Sequence, residues 1–126
     1  MMHGCLAKAQ EEGWRMHIAI MDNGGQLKAY HRMDDAQFLS QEIAMAKSRT
    51  SAVSPRSTKQ WGEAAFQNGQ PSAVAFVPGL QFFEGGLPIM TDEGYHVGGI
   101  GVSGDTSAND ATCAQAGIDA AADDLK

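Results

Sequence analysis

His17 and His31 fall where two strands of one hairpin would bring them together. Met16, Ile18 and Ile20 alternate through Arg15–Asp22, which reads as a strand. Asn23-Gly24-Gly25 is a turn signal, because tight hairpin turns need residues that tolerate positive φ, and Gln26–Met33 reads as the return strand. With a three-residue loop, Asp22 faces Gln26 and His17 faces His31, with Cβ atoms about 4.5–5.5 Å apart. Such a pair could share a metal, a haem or a proton. The plainer alternative is two half-exposed strand histidines, and a one-residue shift would set Tyr30 or Arg32 opposite His17.

A second candidate is Glu84-Gly85-Gly86-Leu87-Pro88. Adjacent glycines let backbone N–H groups approach a ligand, and Glu84 could serve as acid, base or metal ligand. The same glycines also suit a tight turn that needs positive φ. Gly98–Gly104 is superficially like a phosphate loop, but it matches neither the dinucleotide fingerprint nor a P-loop ending. It reads better as small residues that let a helix pack against a strand. Ser103 and Asp105 precede a helix N-terminus, which can bind an anion. No nucleophile triad is visible. Cys113 reads as a buried, inert residue of the last helix. Lys47, like Arg49, is expected at the solvated side of a helix, although Lys47 lies three residues past Ala44 and could reach the sheet end. As an enzyme, the chain would use Glu84 and Asp105 for acid–base chemistry and Lys47 or Arg32 to hold an anionic substrate.

These residues need a scaffold, and 126 residues make one domain. Hydrophobic residues at 43% and charged residues at 19% describe a globular chain. Fifteen acidic against nine basic residues give a net charge of −6, with no Lys/Arg cluster. Nucleic acid and anionic membrane are therefore not expected as partners. No apolar run reaches the ~18 residues of a membrane span. No signal peptide is visible at Met1–Cys5. Cys5 and Cys113 form no recognisable disulfide framework, which points to a reducing, cytoplasmic setting.

Along the chain, Met2–Glu12 reads as a helix closed by Gly13. Phe38–Val53 reads as a helix with a stripe of Leu39, Ile43, Ala46, Thr50 and Val53. A further helix starts at the capping box Ser57-Thr58-Lys59-Gln60 and ends near Asn68-Gly69. Ala73–Val77 is expected as a short strand, followed by strands Leu87–Thr91 and Tyr95–Ser103. The last helix, Ala108–Leu125, takes Ser107 as N-cap and Asp110 at its third position, facing the positive end of the dipole. Hairpins dominate, so the expected sheet is mainly antiparallel and covered on both sides.

With these segments in place, the chain resembles the GlcG/HbpS family of haem-binding or haem-degrading proteins. The likeness rests on Ile18–Gly25, Arg32-Met33-Asp34, Ile43–Lys47, Glu84–Ile89, Val97–Gly104 and Asp110 with Ala114–Gly117. Together they span nearly the whole chain in family order. The resemblance implies an α/β (α+β) single domain of profilin-like form, with helices on the faces of a five-stranded, mainly antiparallel sheet. It also implies homo-oligomers, dimers or larger. The expected function is small-molecule binding, with haem or another tetrapyrrole as ligand near His17, His31, Arg32, Lys47, Gly85, Gly86 and Ser103. The alternatives are the enzyme described above and a catalytically silent oligomeric accessory protein. Ser54–Lys59 and Gln81-Phe82-Phe83 depart from the family pattern.

Overall fold

The computed structural model describes residues 1–126. Helix α1 (Met2–Glu12) ends at Gly13, whose φ of 78° is the left-handed conformation that the sequence signals. Strands β1 (His17–Asp22) and β2 (Leu27–Arg32) follow, then α2 (Leu39–Val53) and α3 (Thr58–Ala65). A small hairpin, β3 (Phe66–Gln67) and β4 (Gln70–Pro71), leads to a 3-10 turn at Ala73–Phe76. Strands β5 (Gly86–Met90) and β6 (His96–Ser103) and helix α4 (Ser107–Ala120) complete the chain, with a final 3-10 turn at Ala122–Leu125. No helix is long and apolar enough to cross a membrane.

The sheet is fully antiparallel, in the order β2-β1-β6-β5. It has four strands where five were expected. The shortfall falls at Ala73–Val77, where Pro71 and Pro78 bracket a run too short to pair. Ser72 instead turns back, its hydroxyl donating to Ala64 C=O. Asn68-Gly69 is not a helix end but a hairpin turn. Both residues have positive φ, the two-residue geometry that the Asn-Gly pair favours.

Helices cover both faces. Ile18, Ile100 and Val102 point to one side and join Cys5, Ala9, Cys113 and Ala114 of α1 and α4 in the core. Gly99 and Gly101 point to the other side, where α2 lies almost on the strand. A Cβ at Gly101 would sit 2.3 Å from Ala44 O and Ser48 N, and one at Gly99 would sit 2.6 Å from Ser48 O. The glycine-rich strand is thus a packing device, as its composition suggests. The contact also decides which face of α2 is buried: Ser40, Ala44, Lys47, Ser48 and Ser51 turn inward. Of the expected stripe, Thr50 is buried and Ile43 and Ala46 are half-buried, while Leu39 and Val53 stand exposed. Backbone at this distance admits only small side chains opposite a glycine.

Cys5 and Cys113 are joined as a disulfide, with Cα atoms 4.7 Å apart. The reading of two unpaired thiols is corrected, and with it goes its argument for a reducing compartment. The bond ties α1 to α4, where Gly4 lets the helices touch: a Cβ there would meet Ala120 Cβ at 2.5 Å. Because it closes a span of 108 residues, it restricts the unfolded chain strongly. Reduction, or Cys5→Ser, should lower stability by about 2–5 kcal/mol in denaturant unfolding. An unchanged midpoint under reductant would show that the bond contributes nothing.

Candidate functional site

The C-terminal end of β6 is where both helical layers meet. Lys47 reaches down from α2 and donates to Val102 C=O and to Asp110 Oδ2, each at 2.9 Å. Both side chains are 2% exposed. Asp110 Oδ1 accepts the Asp105 N–H, which fixes the turn between β6 and α4. Burial pushes the Lys47 ammonium down from its ordinary pKa, and burial pushes the Asp110 carboxyl up. Each offsets this for the other through charge and hydrogen bond, so the pair stays ionised only as a pair. Asp110 lies in the first turn of α4, as expected, though not at its third position. Thr106 is the N-cap of α4, its hydroxyl accepting from Asn109 N–H, and Asp110 falls one position deeper.

Gly85 closes over this pair. Its φ is 133°, and a Cβ there would lie 2.6 Å from Lys47 Nζ and 2.9 Å from Asp110 Cβ. Gly86 is held by Thr58, whose hydroxyl accepts its N–H at 2.9 Å. The glycine turn is thus packed against the ion pair, and the glycines themselves are buried.

Three depressions lie around this junction and the neighbouring end of β2. One, of about 450 Å³, lies between α1 and the end of β2 and is lined by Leu6, Arg15, His31, Arg32, Asp34 and Asp35 among others. A second, of about 320 Å³, opens at the start of α4 between Ser40, Lys47, Gln81, Ser103 and Asp105. The third is a more apolar groove of about 690 Å³ along Phe66, Phe82, Phe83 and Glu84. It adjoins the second through Gln81, Phe83 and Ser107.

The histidine pair does not form. Asp22 N–H donates to Gln26 C=O at 2.9 Å, so the three-residue loop is as expected. The register then slips between Met21↔Leu27 and Ile20↔Ala29, because β2 carries one extra residue, Lys28. His17 faces Arg32, and Ile18 faces His31. The two imidazoles therefore lie on opposite faces of the sheet. His17 is fully buried on the α2 side, with Nε2 2.8 Å from Gln37 C=O and Nδ1 against the Tyr30 hydroxyl. A carbonyl can only accept, so Nε2 carries the proton and Nδ1 accepts from Tyr30. With both nitrogens engaged, His17 is a structural residue here.

The other expected site residues separate in the same way. His31 and Arg32 share the first cleft. Lys47, Ser103 and Asp105 share the second, and Glu84 lines the apolar groove. The Asp105 carboxylate is held within its own turn by Asn109 Nδ2 at 2.6 Å and Thr106 N–H at 2.9 Å, and the Asn109 bond leads in holding its pKa low. No three His, Cys, Asp or Glu side chains come together as a metal site. Arg15, which flanks His31, was not singled out in the sequence. It lies before β1, and only the antiparallel pairing brings it beside the end of β2.

A four-stranded antiparallel sheet between two helical layers, with clefts gathered at one end of the sheet, defines a small α+β domain of a type seen in several solved structures. The family described as haem degrading protein HbpS-like matches residues 1–119, and the chain belongs to that family. The protein GlcG of Escherichia coli is 41% identical over 96 residues, covering 76% of this chain and 69% of GlcG. The solved PduOC:haem complex superposes with a TM-score of 0.84 at 26% identity, covering 94% of this chain and 87% of that one. A double mutant of Streptomyces reticuli HbpS superposes with a TM-score of 0.85 at 26% identity, covering 94% and 79%.

Two expectations follow. Asp110→Ala strands a buried ammonium and should cost about 3–5 kcal/mol in denaturant unfolding, whereas Lys47→Met with Asp110→Leu should recover most of that loss. A single variant within 1 kcal/mol of wild type would contradict the burial argument. Burial, followed by the Arg32 charge, holds the His17 pKa below its ordinary value, against the Gln37 carbonyl, which favours the proton. The unfolded chain then takes up the proton first as pH falls, so stability is full above about pH 6.5 and declines below it. Thermal midpoints between pH 7.5 and 5.5 should fall in wild type and fall less in His17→Gln; equal slopes would remove His17 from the account.

Proposed function

We propose that this protein binds haem or another tetrapyrrole in the cleft between α1 and the end of β2, with His31 as the ligand to the ring metal. The observation that carries this reading is the His31 imidazole. It is exposed at the cleft and makes no hydrogen bond within the chain, unlike His17. Neutral imidazole is a common metal ligand. The donor set around it fits a tetrapyrrole. Leu6 and Met33 offer apolar contact, and Arg15 brings a guanidinium suited to the ring's carboxylates. Arg32 has Nε and Nη2 bound to Ala36 C=O, which positions its guanidinium at the cleft wall. Asp34 and Asp35 balance the two arginines, so the iron–imidazole bond and ring contact, more than net charge, would hold the ligand.

Membership of the HbpS-like family and the likeness to the PduOC:haem complex support the same reading. The cleft is open, so it would grip one edge of a ring and leave the rest for a second subunit to cover. Exposed Phe38, Leu39, Phe83 and Tyr95 give the surface apolar area consistent with a homo-oligomer. Haemin added to the purified protein should shift the Soret band. His31→Ala should abolish the shift, and Arg15→Gln should weaken binding roughly ten- to a hundredfold, one charge-assisted hydrogen bond's worth. No shift in wild type, or a full shift in His31→Ala, would overturn the assignment.

A further inference from the structure

We infer a second binding site, for a small, neutral, hydroxyl-rich molecule, in the cleft where Ser40 and Ser103 meet the first turn of α4. It is a separate cleft from that of His31, and nothing in its argument depends on haem. Ser103 is 5% exposed and Ser40 is 8% exposed, both line the cleft, and neither hydroxyl has a partner within the chain. Both hydroxyls stay open to the cleft, unlike the sealed Ser51 Oγ, so an outside donor or acceptor can reach them directly.

The rest of the lining supplies complementary groups. The Lys47 ammonium has three donors, and two are committed, to Val102 and Asp110. In α4, Asn109 N–H is capped by Thr106 and Asp110 N–H bonds Thr106 C=O, leaving the Ser107 and Ala108 N–H groups without a helical partner. Gln37 and Gln81 add side-chain amides at the rim.

Charge decides the class of ligand. Lys47 is neutralised by Asp110, so no free cation remains to hold an anion. The Asp105 carboxylate stands at the mouth and opposes one. A cation would meet the ammonium and the helix N-terminus. A neutral polyol satisfies both constraints, since each hydroxyl donates and accepts. Its C–H face can lie on Phe83, and about 320 Å³ suits a molecule of a few carbons and not a tetrapyrrole.

The test is two-dimensional amide NMR of the intact protein, titrated separately with glycerol, ribose and inorganic phosphate. Saturable shifts with glycerol or ribose at Ser40–Ile43 and Ser103–Ala108 are expected, leaving His31 unmoved. Ser103→Ala and Ser40→Ala remove hydroxyls that bond nothing in the chain, so each should keep the wild-type melting midpoint. Each should also weaken the polyol roughly three- to tenfold. Shifts that rise linearly without saturation, saturation by phosphate alone, or unchanged affinity in both serine variants would each overturn the site. The haemin titration reads the other cleft, so its failure and this one are distinguishable.

Discussion

One buried ion pair sets the terms for the rest of the molecule. Lys47 belongs to the helix on one face of the sheet and Asp110 to a helix on the other, and they meet beyond the end of β6 at 2.9 Å. Two charges out of water are tolerable only with close geometry and with their remaining hydrogen-bonding capacity used. Val102 C=O and Asp105 N–H supply part of that. The same contact leaves no room for a side chain at Gly85, and the close seat of α2 leaves none at Gly99 or Gly101. The glycines that look like a ligand loop are, at these positions, consequences of where a charge pair and a helix backbone lie.

Local rules carried the sequence reading where they act alone. Helix α1 with its glycine stop, the capping box at Ser57 and the Asn23–Gly25 loop all form as their residues dictate. The reading failed where a distant partner decides. One bulge at Lys28 turned His17 and His31 to opposite faces, and no local signal marks a bulge there. The buried face of α2 is chosen by glycines fifty residues away, so the larger apolar residues misled. The disulfide joins two cysteines whose spacing says nothing, because only the packing of α1 on α4 brings them together.

The candidate site was legible in part, for the same reason. Ser103, Asp105 and Lys47 do converge, and His31 and Arg32 do share a cleft. What sequence could not show is that these are two places with different chemistry. One offers an unengaged imidazole between guanidiniums. The other offers unpaired hydroxyls above a neutralised charge pair. Both lie at the same end of the sheet, where Arg32, His17 and Ser103 stand in one row across β2, β1 and β6, and the close contact of Arg15 with Gly104 lies between them.

The claim that the Lys47–Asp110 pair anchors the junction of β6 and α4 is tested most directly by native-state hydrogen exchange at the Asp105 amide. This residue sits at the surface in a turn, yet its N–H donates to the buried Asp110 carboxylate at 3.0 Å. The account predicts exchange as slow as that of the core amides of β1 and β6, opening only with global unfolding. Exchange at the rate of an unprotected surface turn would contradict it.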